Sequence, residues 1–575
     1  MRVLIEGYGY RAEAVRDVLH ELGPLERATG EMSVWYVGYY YHAQLQDCVF
    51  ILPKVLMDGE NRVFSKYNPH DIINLDHAAS LTPKERSFLY DFAVWIYRAI
   101  AVYNKSNPGN DIVYQRRIAA LGQRERVRRN TFLDILLAII RFNREHRDYL
   151  TTVLRNLHSG YNKIEWARTI AHSTAWVAQD VPVYFDLVNR ERKVNDDEEL
   201  LVIYYSILQY IHDTYGFPVS ILFDFDLIRG RKFENYVHGY GKRRLKQIKY
   251  RYFSDVQLRM WELCYAFFDK AQGIRIASER REYLLVKNFN IVFEAIIDEL
   301  IGDKDVPRGL KDQGDGKRVD HMYSYQSLTC NEGERLVYYI GDSKYYGIGS
   351  RISSEAVYKQ FTYARNVIQW NVNLLLDACA QNGPLRQQHA RFRDDLTEGY
   401  NIVPNFFISA KMEGSLSNDV KNVSITNLKN GIFFTRHFEN RLFDRDTLLV
   451  YHYEVNFLYV LSLYAREDGA QKAQWRRKVR EHFREEIQKA LQERYDFYVM
   501  EPRSGTRSEE YVRTHFKELL GKVYRPFEDN PSYLLLALDK GCREENGVLL
   551  SELNHAFFVR LCPLGEDPRR VFGDD

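Results

Sequence analysis

Cysteine pairs at metal or redox spacing are missing from this chain. Its six cysteines, at 48, 264, 330, 379, 542 and 562, form no C-x-x-C. That argues against zinc ribbons and a disulfide framework, and fits a reducing, cytosolic compartment with structural thiols. Also missing is any uncharged apolar run of about 18 residues, so no membrane span is expected. The first stretch, MRVLIEGYGYRAEAVRDVLHELG, carries charges throughout and does not read as a secretory signal. GYGKRR, GDGKRV and LLGKVY each lack the Ser or Thr that a phosphate-cradling G-x-x-x-x-G-K-[ST] loop needs after its lysine. The chain is therefore not expected to hydrolyse nucleotide alone. Its 16 histidines form neither H-E-x-x-H nor the H-x-E…C-x-x-C of zinc deaminases. Net charge is only +2, so any preference for a polyanion must come from local patches.

Hydrophobic residues make up 45% and charged residues 27% of 575, the balance of a folded chain rather than a disordered one. Tyrosine (42) and phenylalanine (32) are abundant, which suits either a core or base stacking. The expected class is α/β, as a mixed α+β multidomain chain. Residues 1–125 read as a β-rich module, with VWYVGYYYHAQLQDCVFILPKVLM as two strands and a turn. Residues 126–280 read as mainly helical with a basic segment. Residues 281–415 alternate helix and strand, and 416–575 form a mixed α/β extension.

Chemistry concentrates in the third of these segments. RLVYYIGDSKYYGIGS (335–350) is a strand pattern ending in Asp342-Ser343-Lys344, and strand alternation puts Asp342 and Lys344 on one face. RVDHMYSYQSL (318–328) is a second strand candidate carrying Asp320, and Asn331-Glu332-Gly333 supplies the turn of a hairpin between them. Asp315, in the Gly-rich GDGKRVD, competes with Asp320, which is preferred for lying inside the strand pattern. Upstream, LLVKNFNIVFEAIIDELIG reads as a helix with an apolar stripe of Val286, Phe289, Phe293, Ile296 and Leu300, and with Glu294 and Asp298 on its other side. Downstream, a helix capped by Ser353 or Ser354 carries Gln360 and Tyr363, and NIVPNFFISAKM supplies another strand. In isolation, a D-x-K triplet is most often a surface ion pair.

The order of helix with Glu, strand with Asp, strand with Asp-x-Lys, helix with Gln and strand resembles the PD-(D/E)XK nuclease core. VFEAIIDEL, VDHMYSY, YIGDSKYY and VYKQFTYA together resemble McrC-like nucleases, most closely the LlaJI-type restriction endonuclease subunit, over roughly residues 280–470. The resemblance implies that Asp320 and Asp342, with Glu294, hold Mg²⁺ (or Mn²⁺) through oxygen. It implies that Lys344 serves the attacking water and the transition state, and that Gln360 and Tyr363 orient the backbone of double-stranded DNA or the lysine. It also implies a separate McrB-like AAA+ NTPase partner, docked through the N-terminal module and setting the oligomeric state. Two departures stand out: Val319 replaces the proline before Asp320, and the helix reads Q-x-x-Y where many relatives have Q-x-x-x-Y. The function this implies is a metal-dependent endonuclease subunit of a restriction, antiphage system. A repair exonuclease with the same core and a non-catalytic adaptor that activates an AAA+ motor are the alternatives.

Two basic segments invite DNA. GKRRLKQIKYRYF (241–253) offers Lys242, Arg243, Arg244, Lys246 and Lys249 for phosphate contact or as a solvated helix face, and GQRERVRRN (122–130) is a weaker basic linker. His321 follows Asp320 directly, so in a strand it points away from the aspartate's face.

Overall fold

The computed structural model describes the chain except residues 20–21, 27–29, 43–46, 65, 76–80, 117–130, 148, 150–151, 158–162, 195–197, 216, 218, 220, 222–224, 277–280, 308, 313–317, 330–335, 347–351, 378–382, 413–422, 426–431, 436–437, 467–468, 527–532, 567 and 573–575. It is a mixed structure, 50% helical and 23% strand. No helix among the described residues is long and apolar enough to cross a membrane. Asp315, the Asn331–Gly333 turn and the basic run 122–130 lie outside the described residues.

The N-terminal sheet begins with β1 (Arg2–Ile5), β2 (Tyr36–His42) and β3 (Asp47–Leu52). The long helix α1 (Pro83–Ser106) follows, started by a Thr82/Glu85 capping box, and then β4 (Val113–Arg116). Helices α2 (Phe132–Glu145), α3 (Glu199–Tyr215), α4 (Gly241–Ile248) and α5 (Asp255–Ile276) fill the middle of the chain. Between α2 and α3 the chain also forms a three-stranded antiparallel sheet and an exposed hairpin of Ala175–Ala178 with Val181–Tyr184, so this region is less helical than its sequence suggests.

The next strand, β5 (Arg281–Lys287), corrects the sequence expectation at a decisive point. Residues 284–287 do not begin the glutamate helix. They pair with β2 on one side and β4 on the other, completing a sheet of order β1-β3-β2-β5-β4. Helical spacing of apolar residues cannot register two waiting strand edges, and tertiary pairing overrides it. Asn288, at φ 62°, makes the strand-to-helix switch; asparagine tolerates the left-handed region better than most residues.

From there run α6 (Phe289–Ile301), β6 (His321–Gln326), β7 (Leu336–Lys344), α7 (Ser354–Leu376), β8 (Asn405–Lys411), β9 (Leu448–Asn456), α8 (Phe457–Ala465) and α9 (Gly469–Arg494). Strands β6 and β7 are antiparallel, and β7, β8 and β9 are parallel in register. The parallel step from β7 to β8 is spanned by α7, which returns the chain against the sheet. Beyond α9, a four-stranded antiparallel sheet built on Tyr495–Pro502 and Leu534–Asp539 closes the chain.

The abundant aromatics mostly build the core. Tyr39, Tyr204, Tyr323, Tyr339, Tyr363, Tyr453, Tyr464 and Tyr495 are all fully buried. Phe457 on α8 touches Phe92 of α1 and Phe289 and Phe293 of α6, tying the N-terminal helix to the central sheet's covering helix.

A ladder of cations on α9 fixes the end of α6. Arg476 donates to the carbonyls of Glu299 and Leu300, Arg480 to the carbonyl of Ile301 (3.0 Å from Nε) and to Asp303 (2.6 Å), and Arg484 to the carbonyl of Ser327. These are last-turn carbonyls of α6 and the exit of β6, groups a helix or strand cannot satisfy itself. Arg480 also stacks 4.4 Å from the Tyr323 ring centroid. Arg480→Ala should therefore destabilise the protein by roughly 3–5 kcal/mol, as loss of a buried charged partner does, read as a lower urea midpoint. Arg480→Lys should not restore it, because a lysine cannot reproduce the guanidinium fork.

Candidate functional site

Strands β6 and β7 pair His321 with Gly341, which sets Asp320, just before β6, opposite Asp342. Tyr338 of β7 packs on Trp370 of α7, ring centroids 5.9 Å apart, so alternation puts Ile340, Asp342 and Lys344 on the α7 face. The aspartates share that face. Asp342 is 3% exposed and forms an ion pair with Lys344, whose ammonium lies 5.4 Å from the Phe407 ring centroid on β8. Asp320 lies close enough to Asp342 to feel its charge, and its Oδ2 accepts from the Ser343 amide at 3.4 Å. Burial, then the neighbouring Asp342, then the charge of Glu294 push the Asp320 carboxyl up to about 9. Glu294 is itself held above the usual range, by burial first and with the Asp342 charge adding to it, while His321, Asn290 and Lys344 oppose the shift.

Burial and a like charge close by thus strengthen the Asp320 carboxyl's hold on its proton, and a cation between the two carboxyl groups would relieve that repulsion. Among the described residues no group of three or more His, Cys, Asp or Glu side chains is close enough to form a complete metal cage. A hard divalent ion of the Mg²⁺ type keeps several waters and takes only one or two carboxylates, so the Asp320–Asp342 pair suits it, with Glu294 in electrostatic reach of both. A cavity of ≈ 630 Å³, lined by Glu294, Asp298, Asp320, Lys304, Lys311 and Arg318 among others, opens beside the pair.

Opposite the aspartates, His321 is fully buried. Its Nε2 stands 2.5 Å from Ser343 Oγ, and its Nδ1 3.5 Å from Asp298 Oδ1. Asp298 in turn takes Lys311 at 2.6 Å. Burial pushes the Asp298 carboxyl up, but His321 and Lys311 outweigh it and hold the group below the usual range. This relay of Lys311, Asp298, His321 and Ser343 braces the backbone between Asp342 and Lys344 from behind. It was readable only in part: Glu294 and Asp298 stand four residues apart on the same side of α6, but their partners come from β6 and β7.

The other residues singled out in the sequence lie elsewhere. Gln360 is 0% exposed; its side-chain amide donates to the Phe406 carbonyl (3.5 Å), and the Asn405 side chain donates to the Gln360 backbone carbonyl (3.2 Å). Tyr363 is 1% exposed. Neither side chain offers a surface to nucleic acid; Gln360 ties α7 to β8, and the Tyr363 ring is buried under Lys359. The chain's signal that was missed is Lys359, the neighbour of Gln360, which faces solvent and forms K-x-x-x-Y with Tyr363.

The basic segment divides. Lys242 pairs with the buried Asp269, and Arg244 grips Glu199 of α3 with both ends of its guanidinium (2.5 and 3.0 Å). Those two hold α4 in place. Arg243, Lys246 and Lys249 face solvent, with Lys249 over Trp261. The chain matches no family model, and no curated protein or solved structure is significantly similar to it.

Proposed function

We propose that this chain is a metal-dependent DNA endonuclease, with the PD-(D/E)XK architecture in residues 289–411, acting in the cytoplasm as the nuclease subunit beside a separate AAA+ NTPase. One observation carries the proposal: Asp320 and Asp342 meet on one face at the end of adjacent strands, with Lys344 beside Asp342 and Glu294 within electrostatic reach. The helix, two antiparallel strands, crossover helix and parallel strand that deliver them support the same fold assignment. The AAA+ partner and the restriction role rest on the resemblance of the four motif segments alone.

A divalent ion at the aspartates would supply Lewis acidity to a phosphodiester oxygen and to the attacking water. The residues themselves perform the rest. Asp320 and Asp342 would hold the ion, and the charge of Asp342 that raises the Asp320 carboxyl would then be offset. Lys344, fixed by Asp342 and the Phe407 ring, presents an ammonium where negative charge grows on the phosphate in an in-line displacement. Glu294 accepts hydrogen bonds from water on the cavity side. The Asp298–His321–Ser343 relay keeps the strand end from shifting as charge changes on its front face.

The test is cleavage of covalently closed circular DNA in Mg²⁺, with and without an added McrB-like AAA+ NTPase. Nicks or linear product support an endonuclease. Degradation only of linear DNA indicates an end-dependent exonuclease, and NTPase stimulation without cleavage under any divalent ion indicates an adaptor.

A further inference from the structure

Helix α7 points its first turns at the aspartates. Trp370 is anchored on Tyr338, and α7 runs back along β7 toward its C-terminal end. From Trp370 to Lys359 the helix covers about 16 Å, and from Tyr338 to Asp342 the strand covers about 13 Å. Lys359 therefore reaches the level of Asp342. The hydrogen bonds of Gln360 and Asn405 pin the helix there, so Lys359 cannot swing away with it. Its ammonium sits 5.5 Å from the Tyr363 ring centroid and faces solvent, whereas that of Lys344 is engaged by Asp342. Both aspartates act on Lys359, and it acts in turn on Asp320; although burial opposes it, Tyr363 and the two aspartates hold its ammonium above the usual lysine range.

We propose that Lys359, rather than Gln360, is the residue α7 gives to this site, and that its ammonium binds a phosphate of the nucleic-acid strand lying at Asp320 and Asp342. The inference rests on the nuclease proposal for its substrate, but not for its test. A flexible lysine at the open side of a carboxylate pair neutralises a phosphate as a point charge. The pair alone would repel that phosphate. This also accounts for the shortened Q-x-x-Y pattern, because the solvent-facing member of the helix stands one residue earlier.

The experiment uses the full chain and its Lys359→Ala and Lys359→Arg forms. Binding of a double-stranded oligonucleotide is measured in Ca²⁺ across a salt series, and cleavage in Mg²⁺. Lys359→Ala should reduce the slope of log affinity against log salt by about 1. It should raise KM by roughly tenfold to a hundredfold and leave kcat and the melting temperature near those of the parent. Lys359→Arg should restore the slope. If the parent never cuts but binds DNA with a Lys359-dependent slope, the phosphate contact stands and the nuclease proposal falls. An unchanged slope in Lys359→Ala overturns the contact whether or not the parent cuts, and a parent that does not bind DNA overturns both.

Discussion

Lys344→Ala should lower kcat for DNA cleavage by roughly 10²–10³-fold, the cost of removing one preorganised charge aimed at a developing anion, with little change in DNA affinity. Asp342→Ala should abolish cleavage, because it removes a carboxylate of the pair and also frees the Lys344 ammonium from the partner that aims it. Neither change should unfold the protein. The sheet beneath is held by β6–β7–β8 pairing and by the α9 arginines, which do not touch these side chains. On the proposed function, stimulation of an AAA+ NTPase should survive both substitutions, since Asp342 and Lys344 pair with each other rather than with the N-terminal sheet. The side chain that does reach it is Tyr345, whose hydroxyl donates to Glu6 at 2.7 Å. Cleavage and NTPase rates measured on the same preparations separate the two activities. Full cleavage by Lys344→Ala would remove the lysine from the chemistry and return the Asp342–Lys344 pair to an ordinary buried ion pair.

Local pattern carried the central strands because their chemistry is local. Alternation alone puts Asp342 and Lys344 on one face, and a hairpin brings Asp320 within reach of Asp342; the register of β6 and β7 fixes the pairing that the sequence left open, with Asp320 one residue outside its strand. Ser353 does cap α7, accepting from the Ala356 amide. Two kinds of information were not local. The strand role of 284–287 depends on edges offered by β2 and β4, far away in sequence, so a helical stripe misled there. The facing of α7 was also invisible: Gln360 looks like the functional residue by type, but the side of a helix that meets a sheet is chosen by the whole apolar stripe, and Val357, Gln360, Phe361 and Ala364 take that side. The basic segment illustrates a third limit. Composition counts Lys242 and Arg244 as DNA cations, while Asp269 and Glu199, distant acids in the sequence, have already claimed them.

Metal binding at this site should release a proton, and its affinity should rise about tenfold per pH unit below pH 9. The reason is the Asp320 carboxyl, which burial and Asp342 push up to about 9 from an ordinary 3.8. Between those values the folded chain holds a proton that the unfolded chain has lost. Stability of the metal-free protein therefore falls as pH rises through this window, and the loss is complete above about 9. A divalent cation replaces the proton and reverses the loss, so Mn²⁺ or Mg²⁺ should raise the melting temperature far more at pH 8 than at pH 5. Asp320→Asn keeps an oxygen for the Ser343 amide but removes the titrating charge. It should abolish cleavage and the pH dependence of metal binding together, while making the metal-free protein more stable than its parent at pH 8 by about 0.5–2 kcal/mol. Calorimetry in two buffers of different ionisation enthalpy counts the released proton, and thermal melts at pH 5 and pH 8 supply the stability arm. A metal affinity that stays flat from pH 6 to 8.5, with no proton released, would mean that the two aspartates do not share the ion. A gain of stability on losing a carboxylate, coupled to total loss of activity, is instead the signature of charges kept together for a ligand rather than for the fold.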